Sequence, residues 1–225
     1  MSDQTTAILI PARLESTRLP NKMAIGLNGV PLVRYVLEKC KSFGYPSFVL
    51  TDSRKLATLV RNDVVLTDHA ENGTERCMQV LDELGFDRYI NVQGDMPDVT
   101  KEIVQAVERQ LDHDIVATAY TEMKDIDRRD PSVVKMIHSR GRPHWFCRAS
   151  LPYGDRHIGV YGYRQTAKEL YRKTYAMREE RLEKLEQLRW IQNGIDMGIT
   201  KVEFDGIEIN TKEDLELWHK RNPTS

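Results

Sequence analysis

The sequence predicts an α/β fold: a mainly parallel, mixed sheet with helices on both faces and a β-rich insertion at about 120–163. Three observations predict it. Short apolar runs alternate with helical stripes through the first half of the chain. That rhythm breaks near Tyr120, where "SVVKMI", "HWFCRA" and "HIGVYGYR" follow one another with little room for helices. No linker separates two folding units, so the expectation is one domain over residues 1–225, carrying the insertion.

The elements follow in order. "TAILIPA" reads as a buried strand. From Pro31, the residues Leu32, Val33, Val36, Leu37 and Cys40 keep a helical stripe that Gly44 closes. "SFVLTD" is a second strand, Ser53 caps a helix over "RKLATLVRN", and "DVVLTD" is a third strand. Cys77, Val80, Leu81 and Leu84 mark the next helix. "RYINVQGD" is a fourth strand, a helix runs through Ile103, Val104, Val107 and Leu111, and "DIVATAY" is a fifth strand. After the β-rich stretch, one long helix is expected around "REERLEKLEQLRWIQNG", with Leu182, Leu185, Leu188 and Ile191 inward. "TKVEF" is a late strand, and Thr211 caps a closing helix over "TKEDLELWHKR".

Composition narrows the function. In 225 residues, 33 Lys and Arg nearly cancel 34 Asp and Glu, for a net charge of −1. That excludes a general nucleic-acid binder, so any basic site is local. Cys40, Cys77 and Cys147 are far apart and form no zinc pattern; they read as reduced thiols of a cytoplasmic protein. "MSDQTT" has no signal-peptide pattern, and no apolar run approaches the roughly 18 residues of a membrane span.

In an open parallel sheet, ligands bind beyond the carboxyl ends of the strands. Two such loops concentrate chemistry. "PARLESTRLPNK", Pro11–Lys22, presents Arg13, Arg18 and Lys22 with the hydroxyls of Ser16 and Thr17. Guanidinium forks and an ammonium suit a polyphosphate, although a solvated basic loop has the same composition. It lacks the Walker A spacing. Lys22 is expected to be exposed. "QGDMPD" puts Asp95 and Asp98 where the fourth strand ends, with Gly94 allowing a tight turn; magnesium between acids and phosphates would join the two loops. An ordinary strand-ending turn is the plainer alternative. "ENGTER" opens a helix, where Asn72 and Thr74 are candidate caps and the backbone amides after Gly73 are free to read a base or a phosphate.

These stretches, with "DPSVVK", "FCRASLP", "HIGVYGYR", "LEKLEQLRW" and "NTKEDLE", resemble the 3-deoxy-manno-octulosonate cytidylyltransferase (CMP-Kdo synthetase) family, in the family's order and over nearly the whole chain. The resemblance implies a Rossmann-like nucleotidyltransferase fold. It implies the reaction of CTP with a 3-deoxy-ulosonic acid, giving the CMP-sugar and pyrophosphate. It places Pro11, Ala12, Arg13, Ser16, Arg18 and Lys22 at the nucleotide, with Asn72, Gly73 and Gln93 near cytosine. Arg13, Lys22 and Asp95 become the catalytic candidates. Asp95 and Asn210 become the magnesium ligands. Arg148, His157, Tyr161, Glu186 and Gln187 fall where the family binds the sugar acid. From the residues alone, His157 and Tyr161 also fit as packing residues on a strand, and Glu186 and Gln187 as a solvated helix face. A buried Arg148 would need an anionic partner. The resemblance further implies a cytoplasmic homodimer, joined through the β-rich lobe, acting in lipopolysaccharide biosynthesis, with no membrane or nucleic-acid partner.

The chain departs from the family pattern in three places. The segment between "SLPY" and "HIGVYGYR" is short, Met96 replaces an acid, and Asn210 stands where an aspartate is usual. These departures keep two alternatives open: a cytidylyltransferase for another acid sugar, and a nucleotide-binding homologue impaired in catalysis with a regulatory or scaffold role.

Overall fold

The computed structural model describes residues 4–16 and 18–223; Thr17, one of the candidate hydroxyls, lies outside them. In chain order the elements are β1 (Thr6–Pro11), β2 (Gly26–Leu27), β3 (Val30–Pro31), α1 (Leu32–Lys41), β4 (Ser47–Thr51), α2 (Arg54–Val60), β5 (Val64–Leu66), α3 (Gly73–Leu84), β6 (Arg88–Val92), α4 (Lys101–Gln110), β7 (Val116–Thr121), β8 (Lys135–Ser139), β9 (Arg142–Cys147), β10 (Asp155–Arg164), α5 (Ala167–Arg172), α6 (Arg178–Glu183), α7 (Leu188–Gln192), β11 (Met197–Lys201) and α8 (Lys212–Arg221). The chain forms two compact units.

One unit holds Thr6–Leu84, Asn91–Lys101 and the C-terminal segment from Asp205. Here β1, β4 and β5 run parallel, with Ile8 opposite Ser47 and Val49 opposite Val64. Every residue of β1 is buried, as its unbroken apolar run requires of a parallel strand covered on both sides. Pro11 has no N–H to give, and the ladder continues one residue on, where Ala12 N donates to Leu50 O at 2.9 Å. Ser53 caps α2 through Leu56 N, and Thr211 and Asp214 form a capping box at α8. Asn28 and Gly29 join β2 to β3 with φ of 48° and 83°, the backbone of a tight hairpin.

The other unit holds Gly85–Ile90 and Glu102–Phe204. β11 runs parallel to β7, Met197 opposite Val116, and β10 runs antiparallel to β7 on its other side. The hairpin β8–β9 adds to β10 through β8. Its turn is Arg140–Gly141, both at positive φ, 51° and 74°. A shift of register between Ile158 and Tyr161 marks a bulge in β10. Thr118 on β7 supports the bulged backbone, its hydroxyl lying 2.9 Å from the Val160 carbonyl.

Two expectations for this unit are corrected. The long helix is two short ones, because Lys184 adopts the left-handed conformation at φ 55° and ends α6. Leu182 points outward and is 68% exposed. Two residues along a helix is about 200° of rotation, and Glu180 takes the inward face instead. There the Arg189 guanidinium grips both Glu180 oxygens at 2.8–3.0 Å and donates to Tyr171 Oη at 2.6 Å. Leu185 and Leu188 are buried as expected. The late strand begins at Met197, three residues before "TKVEF", and Val202 N extends its pairing to Tyr120 O.

Candidate functional site

The nucleotide candidates lie in the unit built on β1. The loop after β1 brings Lys22 to Asp95, Nζ to Oδ2 at 2.5 Å. Lys22 is not the exposed loop lysine of the sequence reading: it is 9% exposed, in a short 3-10 turn. A charge so placed needs a partner, and Asp95 supplies it. Asn210 joins from far along the chain. Its Oδ1 accepts from Lys22 Nζ at 3.3 Å and from Arg18 Nη2 at 3.1 Å. The backbone holds this meeting in place, since Ile209 N donates to Asp95 O at 2.9 Å. Asp98 has a different task. Its two oxygens accept from Ile207 N and from the indole of buried Trp218, both at 2.9 Å, so it fastens the C-terminal segment rather than facing a ligand. Arg13 is exposed and Ser16 half-buried on the same loop.

Asp95 and Asn210 thus aim two hard oxygens at one positive charge, the Lys22 ammonium. That donor chemistry fits magnesium, which takes carboxylate and neutral oxygen ligands and keeps several waters. Among the described residues, no group of three or more His, Cys, Asp or Glu could hold a metal on its own.

A second cluster forms around the start of α3. A Cβ on Gly73 would come within 3.1 Å of Pro11 Cγ and 3.2 Å of the Gln93 amide. Pro11, Gly73 and Gln93 therefore pack as one surface, and Gln93 Nε2 is oriented by Asn91 Oδ1 at 3.0 Å. Asn72 caps the helix, its Oδ1 accepting from Glu75 N at 2.8 Å. Gly94 lies in the turn closed by Met96 N and Gln93 O at 3.1 Å, and a Cβ there would meet the flexible end of Met23, with Sδ at 3.0 Å. Met96, where the family pattern has an acid, is buried in the core.

The sugar candidates lie in the other unit. His157, Tyr161 and Gln187 are buried, Tyr161 Oη donating to Gln187 Oε1 at 3.2 Å. Gln187 is therefore no solvated helix residue, and its Nε2 has no protein partner among the described residues. Glu186 is half-buried beside it. His157 Nε2 lies 2.9 Å from Thr118 Oγ1. Thr118 Oγ1 also faces the carbonyls of Val160 at 2.9 Å and Ile158 at 3.4 Å, which only accept; with its one proton given to them, the hydroxyl accepts from an imidazole Nε2–H. Burial, and then the nearby Arg148 charge, push the His157 pKa down to about 3, so the ring is neutral at ordinary pH. Arg148 is half-buried. Its Nε donates to Glu183 O at 3.1 Å, and Nη1 to Pro131 O and Ser132 O at 3.2 Å each. Glu183, which sequence reasoning passed over, also accepts from Arg148 N at 2.9 Å. Its position in a charge-rich stretch carried no signal of this.

A mixed α/β sheet whose first strand ends in a cationic loop, with a carboxylate and an amide oxygen meeting at its lysine, has the make-up of a nucleotidyltransferase. The profile of the cytidylyltransferase family matches residues 7–199, and the chain belongs to that family. It is 32% identical to the 3-deoxy-manno-octulosonate cytidylyltransferase of Bartonella henselae, over 95% of this chain and 96% of that one. It is 35% identical to the enzyme of the same name from Rhodopseudomonas palustris, over 96% and 97%. Among solved structures it superposes on a CMP:2-keto-3-deoxy-manno-octonic acid synthetase complexed with CTP, with a TM-score of 0.87 and 28% identity over 97% of this chain and 98% of that one. An inositol-1-phosphate CTP transferase from T. maritima shares the fold alone, with a TM-score of 0.69 at 15% identity over 99% and 98%. No helix among the described residues is long and apolar enough to cross a membrane.

Proposed function

We propose that this chain transfers CMP from CTP to the anomeric hydroxyl of 3-deoxy-manno-octulosonate, releasing pyrophosphate. The observation that carries the proposal is the convergence of Lys22, Asp95 and Asn210 at the strand ends of a cytidylyltransferase. The sugar hydroxyl oxygen forms a bond to the α-phosphorus, the bond from that phosphorus to the pyrophosphate oxygen breaks, and the hydroxyl proton leaves to solvent. In-line attack needs positioning and charge neutralisation more than covalent help. Lys22 and Arg18 stabilise the leaving pyrophosphate, with Arg13 entering from the same loop. Pro11, Gly73 and Gln93 form the face for the base, and Ala12 and Ser16 line the loop at the phosphates. Asp95 and Asn210 would hold magnesium, which would supply charge neutralisation to the triphosphate. Arg148 takes the sugar carboxylate, with His157 as a neutral hydrogen-bonding group beside Tyr161, Glu186 and Gln187.

Cys40, Cys77 and Cys147 are buried and outside any disulfide, which supports a reducing, cytoplasmic setting. A homodimer belongs to the same reading, and a monomeric mass in solution would remove it. The test of the function is pyrophosphate release with CTP, magnesium and a panel of 2-keto-3-deoxy sugar acids. Turnover with 3-deoxy-manno-octulosonate supports it. Turnover only with another acid sugar reassigns the substrate, and CTP binding without turnover across the panel refutes the enzyme.

A further inference from the structure

Lys135, on β8, is fully buried. Its ammonium donates to three backbone carbonyls, those of Asp130, Val133 at 3.0 Å and Arg148 at 3.3 Å. An ammonium has three donors, so all three are matched. Holding a charge there is costly, and an apolar side chain of similar length would fill the space at less cost. What the lysine adds is the arrangement of the carbonyls.

Those carbonyls bracket a functional side chain. Asp130 and Val133 flank Pro131 and Ser132, whose own carbonyls accept from Arg148 Nη1. The turn is ordered further by the Asp130 carboxylate, which accepts from Ser132 N at 2.7 Å and Ser132 Oγ at 2.6 Å. The third carbonyl belongs to Arg148 itself. One buried ammonium therefore joins the segment that holds the guanidinium to the backbone from which the guanidinium extends. Glu183 completes the frame from the other side.

We propose that Lys135 is a positioning residue for the acid-sugar site: by clamping the carbonyls of Asp130, Val133 and Arg148, it sets the plane in which the Arg148 guanidinium meets the substrate carboxylate. The proposal rests on the assignment of Arg148 to that carboxylate. Lys135 touches no substrate and acts only through Arg148.

The test is a double-mutant cycle with Lys135→Met and Arg148→Lys, reading KM for the sugar, KM for CTP and kcat. Misplacing a substrate-holding group costs roughly tenfold or more. Lys135→Met should raise the sugar KM by about that factor, with the CTP KM within about twofold of the parent. The double variant should bind sugar no worse than the weaker single variant, because both changes spoil the same contact. Multiplying effects, or equal shifts for both substrates, would make Lys135 a stability residue and overturn the proposal. If Arg148→Lys alone leaves the sugar KM unchanged, the Arg148 assignment fails. If it raises the sugar KM and Lys135→Met does not, only the Lys135 assignment fails. Should Lys135→Met not fold, Lys135→Arg is used instead: it keeps the charge, but its longer planar fork cannot meet the three carbonyls at one point, so the same rise in sugar KM is expected. Failure of both to fold would also overturn the positioning role.

Discussion

Replacing Lys22 by methionine should damage two things at once, and the structure lets them be separated. The side chains of Lys22 and Asp95 are 11% and 20% exposed, and Nζ lies 2.5 Å from the carboxylate. Lys22→Met leaves Asp95 with an uncompensated charge in a largely dry place. Loss of one partner of such a pair costs about 1–3 kcal/mol. At 2–4 °C per kcal/mol for chains of about this size, the melting temperature should fall by roughly 2–12 °C. Catalysis should fall further, because removing one donor to developing charge costs about 10²–10³ in kcat. Asp95→Asn removes the orphaned charge, so the double variant Lys22→Met/Asp95→Asn should regain most of the lost stability and none of the activity. Melting curves and pyrophosphate release at saturating CTP measure the two effects. A folded Lys22→Met enzyme with unchanged kcat would refute the phosphate role. A double variant no more stable than Lys22→Met would refute the ion pair as the source of the loss.

Four further outcomes are expected. Arg148→Lys keeps the charge and loses the planar fork, so the sugar KM should rise while the CTP KM holds; equal losses would assign Arg148 to the fold or the nucleotide. Asn210→Asp should lower the magnesium concentration for half-maximal rate and Asn210→Ala should raise it; if both follow the parent curve, Asn210 is no ligand. Gly73→Ala must push Pro11 and Gln93 aside by a few tenths of an ångström, so the CTP KM should rise by roughly tenfold, with 1–3 kcal/mol of overpacking; an unchanged CTP KM argues against this face as a base site. For His157 the folded pKa of about 3 lies below the ordinary 6.5, so above pH 6.5 the ring makes no pH-dependent contribution. Between pH 6.5 and about 3 the unfolded chain takes a proton that the native state refuses, and stability falls by up to about 1.4 kcal/mol per pH unit. Denaturant midpoints of the parent and His157→Asn, compared across that range, should converge as pH falls; parallel curves would show that the ring is not held neutral.

The order of strands and helices in the β1 unit was legible because the elements keep a simple period and some helices carry their own cap, as at Ser53 and Thr211. The "LNGV" stretch held a hairpin signal in Asn28–Gly29 that the helical and strand periods alone passed over. The break at Lys184 carried no signal, since lysine is not a residue that announces a left-handed turn. Leu182 misled for a related reason: periodicity ranks apolar residues inward, while the Arg189–Glu180 fork claimed that face. Charge likewise suggested an exposed Lys22, because the sequence does not show that a carboxylate 73 positions away lies within 2.5 Å. The grouping of Lys22, Asp95 and Asn210 was anticipated through family likeness; spacing along the chain could not have given it. Glu183 and Lys135 act through backbone groups, and a sequence pattern records side chains.

Asp98 has a consequence in time as well as in space. It holds Ile207 and Trp218, and between them lies Asn210, whose neighbour Ile209 is bonded to Asp95. During synthesis the cationic loop and Asp95 emerge long before their amide partner. Until the residues beyond Asp205 have left the ribosome, Lys22 and Asp95 have only each other, and the polypeptide lacks one of its two proposed magnesium ligands. Nucleotide affinity should therefore arrive late, with the last helix, and a chain stalled before that helix should be recovered without bound CTP even if β1 to β5 are already paired.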